Sequence, residues 1–167
     1  MKLSMYEACV PPGVRMMRNL AAILEKAGAH AEAKKIDADV LINARLFPDM
    51  FPLVRQVQIA SDAAKAGAAR LAGLEPPSFE DNEKTIVELI ERAMKTATWL
   101  ETLKPAQFEG SEDRTVKWKT RTVDRSMQGL PYLVHQVLPN LYFHVTTAYN
   151  ILRHNGVELG KMDYLGR

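Results

Sequence analysis

Four stretches of this chain repeat apolar residues at gaps of three and four, and breakers separate them. That period puts one buried stripe on each of four long helices, and helices with one apolar stripe must pack on one another. The first stripe is Val10, Val14, Met17, Leu20 and Leu24, with Ser4 as its cap. Pro11-Pro12 delays or kinks its start, and Gly28 ends it. A short helix over Asp37 to Leu46 follows, closed by Pro48. Asp49 is read as the cap of the second long helix, whose stripe is Leu53, Val57, Ala60, Ala64 and Leu71. Ser78 with Asp81 reads as a capping box for the third, buried through Ile86, Ile90, Ala93, Ala97 and Leu100. The fourth opens at Gly129-Leu-Pro131 and bends at Pro139. His154 lies in its last turn, with Gly156 just beyond. The expected fold class is an all-α four-helix bundle, one domain over residues 1–167.

Helical period disappears between Gln107 and Met127. Val116 and Trp118 alternate there with Lys117 and Lys119, the pattern of a short hairpin confined to residues 113–127. Arg114, Lys117, Lys119, Arg121 and Arg125 cluster in it, read as a solvated loop or an anion-binding rim. The run from Ala60 to Ala72, rich in alanine with Gly67 at its middle, reads as close packing. The tail from Val157 carries Leu159, Tyr164 and Leu165, enough apolar weight to dock back on the bundle.

Composition excludes several functions. A net charge of +2 gives no reason to expect nucleic acid as a partner. No apolar run approaches the ~18 residues of a membrane span, and the first residues hold no long apolar segment, so a cytoplasmic protein is expected. The single cysteine, Cys9, lies on an apolar stripe and reads as core. No nucleophile elbow, phosphate loop or His-Glu-x-x-His helix is present.

Of the four histidines, His30 reads as solvated in a polar loop and His154 as a cap on the helix dipole, while His135, nine residues before His144, is too far from it to share one ion on a straight helix. His144 has apolar helical neighbours in Val137, Ala148 and Ile151, and Asn140 lies one turn before it. That pair is either a satisfied core network or the lining of a pocket. Tyr142 and Tyr149, flanked by Val145 and Leu152, form a second apolar face that a second subunit would cover, so a homodimer is expected.

The stretch His144-Val-Thr-Thr-Ala-Tyr-Asn-Ile-Leu-Arg-His-Asn-Gly156 resembles the last helix of the DinB/YfiT-like superfamily. The chain also resembles, nearly end to end, a bacterial family of unknown function within it. Segments that carry this include Leu46-Phe-Pro-Asp-Met-Phe-Pro-Leu53, Leu138-Pro-Asn-Leu-Tyr-Phe-His144 and Gly160-Lys-Met-Asp-Tyr-Leu-Gly166. The resemblance implies a divalent-metal position at Gln56, Asn140 and His144, of which one alone is a histidine. Two amides are weak ligands for zinc or nickel. The expectation is therefore no metal, no cofactor and no catalytic residue, with Gln56, Asn140 and His144 meeting as a polar cluster. Such a bundle would bind a non-metal small molecule or carry a vestigial site. The alternative is a metal-dependent thiol transferase or hydrolase using His144, favoured if Cys9, Glu7 or Asp49 converges on that ring.

Overall fold

The computed structural model describes residues 3–120 and 122–166. Four long helices form the body, all-α apart from one two-stranded hairpin. Helix α1 (Met5–Lys34) starts at Ser4, whose hydroxyl accepts from the Glu7 amide while the Glu7 carboxylate accepts from the Ser4 amide. It runs through Pro11 and Pro12 and does not stop at Gly28, ending instead at Lys35 with φ 54°. An interior glycine costs about 1 kcal/mol relative to alanine. Continuing the helix places Ala27 and Ala31 in the core, and that burial favours going on.

Helix α2 (Ala38–Asn43) is capped by Asp37 and leads to α3 (Leu53–Leu71). Asp49 does not cap α3. The residue at that position is Pro52, and the Leu53 amide donates to the Ala44 carbonyl at 2.9 Å. Helix α4 (Ile86–Glu101) is likewise not capped by Ser78 and Asp81. Thr85 and Glu88 form its capping box, and Asp81 is held by Arg55 and Arg92.

Strands β1 (Thr115–Lys119) and β2 (Asp124–Gln128) pair antiparallel, with Val116 opposite Met127 and Trp118 opposite Arg125. The second strand reaches one residue past the expected window. Val116 is buried and Trp118 half-buried, so this face of the hairpin leans on the bundle. Arg114 is not a free loop cation: its Nη1 donates to the Leu71 carbonyl and so caps the C-terminus of α3.

The last long segment is α5 (Gly129–Tyr132), a π turn over Leu133–Val137 and α6 (Leu138–His154). Pro139 has no amide hydrogen, and its ring would press on the carbonyl four residues back. Widening the preceding turn relieves that clash without breaking the helix. Helix α7 (Lys161–Leu165) then docks on α1. Arg15 donates to the Leu165 and Gly166 carbonyls, Asn19 to the Tyr164 carbonyl, and Lys26 pairs with Asp163. Tyr164 packs edge-on to Tyr149, while Val145 and Leu152 are fully buried. On the face where the homodimer expectation rests, the tail thus meets Tyr149, while Tyr142 stays exposed.

Leu20 and Leu24 of α1, Leu53 of α3, Leu89 and Leu100 of α4 and Leu141 and Ile151 of α6 fill the centre. Among the described residues no helix is long and apolar enough to cross a membrane.

Candidate functional site

Helices α3 and α6 run antiparallel: Gln56 meets His144 near one end and Gly67 meets Val137 near the other. Gln56 Oε1 lies 2.6 Å from His144 Nδ1, and both side chains are buried. Gln56 Nε2 donates to the Phe51 carbonyl at 3.0 Å, which fixes the amide's orientation. Its oxygen can therefore act only as an acceptor toward the ring. His144 Nδ1 carries the proton, and Nε2 is left with the lone pair.

Burial, and secondly the positive charge of Arg55, hold His144 below the usual histidine range. The ring is neutral at neutral pH. In the unfolded chain it returns to about 6.5 and takes up a proton that the folded form refuses. The stability this group contributes is present above about pH 6.5 and declines as pH falls toward the folded-state value. His144→Gln should flatten the fall in stability between about pH 7 and 5. An unchanged slope in urea melts across that range would remove this role.

Asn140 does not join the pair. In an antiparallel helix pair, a residue one turn before His144 on α6 faces a residue one turn after Gln56 on α3. Asn140 accordingly lines a separate cleft beside Ile59, Ala63 and Gly67. The three polar residues expected to converge are two that touch and one a turn away.

Around the pair lies an aromatic rim. Phe143 meets the His144 ring edge-on at 5.2 Å, and Phe51 lies under the Arg55 guanidinium at 5.9 Å. Both phenylalanines are exposed. The groups whose convergence would favour an enzyme are engaged elsewhere. Glu7 caps α1, and Asp49 is an exposed loop residue. Cys9 is a core thiol, which burial pushes up to about 12.

The donor set does not suit a divalent transition metal. Gln56 offers a neutral oxygen already taken by Nδ1–H, and Asn140 belongs to another cleft. Among the described residues, no three His, Cys, Asp or Glu side chains come close enough to hold an ion.

One polar cluster has no counterpart in the sequence reading. Arg92 of α4 is nearly wholly buried, and its guanidinium reaches Asp62, Asp81 and Glu83 at 3.0, 3.0 and 2.8 Å. It also donates to the Glu80 carbonyl. Gln58 donates to Glu83, Lys65 pairs with Asp62, and Arg55 bridges Gln58 and Asp81. Phe79 lies among three cations: Lys95 at 4.2 Å, Lys65 at 5.0 Å and Arg92 at 5.9 Å. Of the acids before α4, Asp81 and Glu83 bind arginines, while the Glu80 carboxylate accepts from Asn82. Glu83, three residues before Ile86 and nine before Arg92, was the one available signal.

Residues 5–165 match the family described as Domain of unknown function (DUF1993). Among solved structures, a crystal structure of a DinB family member protein from Shewanella denitrificans is 46% identical to the chain. That match covers 98% of this chain and 92% of the other, with a TM-score of 0.91. No curated protein matches.

Proposed function

We infer function from one premise: the chain belongs to the family described as Domain of unknown function (DUF1993) and has a DinB-like fold. On that premise the protein is a metal-independent bundle that binds a small molecule. The observation carrying this reading is the 2.6 Å hydrogen bond between Gln56 and His144. It fills, with a self-satisfied pair, the position that the resemblance assigns to a metal. A buried amide and a neutral imidazole complete each other and need no ion. The enzyme reading requires His144 Nε2 to meet a substrate, and only 8% of the residue is exposed.

Titration with zinc and nickel tests the proposal. The unmodified protein should take up neither metal stoichiometrically. His144→Ala should lose about 1–3 kcal/mol of stability, because Gln56 Oε1 is left buried without a donor. Tightly bound stoichiometric metal in the unmodified protein, absent from His144→Ala, would overturn the reading.

A further inference from the structure

The cleft that receives Asn140 lies between α3 and the last helical segment, beside the β-hairpin. Its volume of about 370 Å³ falls within the range of small-molecule sites. Ala63 and Gly67 keep the α3 side low, which is what the alanine-rich run contributes besides packing. Trp118 of β1 lines the cleft and leans on Tyr132, ring centres 4.8 Å apart. The Tyr132 hydroxyl accepts from Arg70 Nη1 at 3.0 Å, tying that guanidinium to the aromatic wall.

Two further features bear on what would enter. Gln136 and Asn140, four residues apart, bring two half-buried carboxamides to the lining. Among the described residues neither has a hydrogen-bond partner. Neither is among the buried unpartnered polar atoms, so their amide atoms reach solvent and are free to hydrogen-bond a molecule in the cleft. The lining also holds three cations, Lys65, Arg70 and Lys119, against one acid, Asp62. That acid is already paired with Lys65 and Arg92. Trp118 stands opposite Arg125 in the hairpin register. The local field therefore favours an anion, and the indole offers a flat apolar surface.

We propose that this cleft binds a small organic anion with a planar apolar body, an aromatic carboxylate by class. Its ring lies along Trp118, its carboxylate lies toward Arg70 and Lys119, and the two carboxamides supply directional hydrogen bonds. This rests on the reading of the protein as a metal-independent binding bundle, and it adds the ligand's chemistry and place.

The test uses 2-naphthoate as probe and 2-naphthalenemethanol as its neutral counterpart, followed by calorimetry and by the indole N–H signals of the two tryptophans. The acid should shift the Trp118 signal and leave Trp99 unmoved, binding at least about tenfold more tightly than the alcohol. Lys119→Glu, on the exposed hairpin, should weaken the acid about tenfold, and Asn140→Asp should do so by placing a like charge in the cleft. No shift at Trp118, equal affinity for acid and alcohol, or undiminished binding in both variants would overturn the proposal. Zinc titration separates the two failures. Silence there, with no naphthoate bound, rejects the ligand class alone. Stoichiometric zinc rejects the underlying reading.

Discussion

Arg92→Ala is expected to lose about 3–5 kcal/mol of folding stability, the cost of removing one partner from a buried ion pair. The Arg92 side chain is 2% exposed and that of Glu83 9%. Without the guanidinium, the Glu83 carboxylate keeps, among the described residues, only the Gln58 amide as a hydrogen-bond partner, at 2.8 Å. Asp62 and Asp81 are 43% and 38% exposed and can turn to water, so most of the cost falls on Glu83. The segment before α4 would also lose its anchor, since the same arginine holds the Glu80 carbonyl. Arg92→Met combined with Glu83→Gln should recover a large part of the loss, because no charge is then left buried. Urea melts of the three variants decide it. A loss under about 1 kcal/mol for Arg92→Ala would mean the cluster behaves as a surface network.

Gly129→Ala should cost at least the upper part of the about 1–3 kcal/mol typical of overpacking. A Cβ on Gly129 would overlap the Ser111 carbonyl oxygen and sit 2.9 Å from its carbon. The obstacle is backbone, and it is held in place. The Ser111 amide donates to the Phe108 carbonyl, and the Leu130 amide donates to the Glu112 carbonyl beside it. Alanine's better helix propensity returns at most about 1 kcal/mol, so the clash wins. Since Gly129 joins β2 to α5, the hairpin should loosen with it, and Trp118 with the hairpin. A thermal melt equal to or above that of the parent would show that the segment around Ser111 yields.

The bundle was legible because burial itself writes the helical period: Leu20, Leu24, Leu53 and Leu100 are all core. Ser4 is legible as a cap for the same kind of local reason, its partner Glu7 being three residues away. Local signals misled where two candidates compete nearby. Ser78 with Asp81 and Thr85 with Glu88 both satisfy the capping pattern, and Arg92 draws Asp81 out of the contest. Gly28 shows a breaker overruled by tertiary burial. Gln56 is visible only through the resemblance, since nothing in the α3 stripe marks it as a partner for a ring 88 residues on. Asn140 was misplaced because helical spacing fixes the face of one helix, not the level at which an antiparallel neighbour meets it. Beyond Glu83, nothing marked the Arg92 cluster, because charges from α3, the loop and α4 look solvated when read one segment at a time.

Cys9 gives the chain a property that none of the polar clusters provides. It is the one thiol in 167 residues, it is 4% exposed, and burial pushes it up to about 12. At neutral pH it is protonated and shielded, while in an opened chain it returns to about 8.5 and becomes reactive. Its neighbours on α1, Met5 and Val10, are core residues too, so the sulfur is released when the N-terminal turns of the first helix leave the bundle. A thiol reagent then acts as a clock on that event: each alkylated molecule records one excursion of α1, under native conditions and without denaturant.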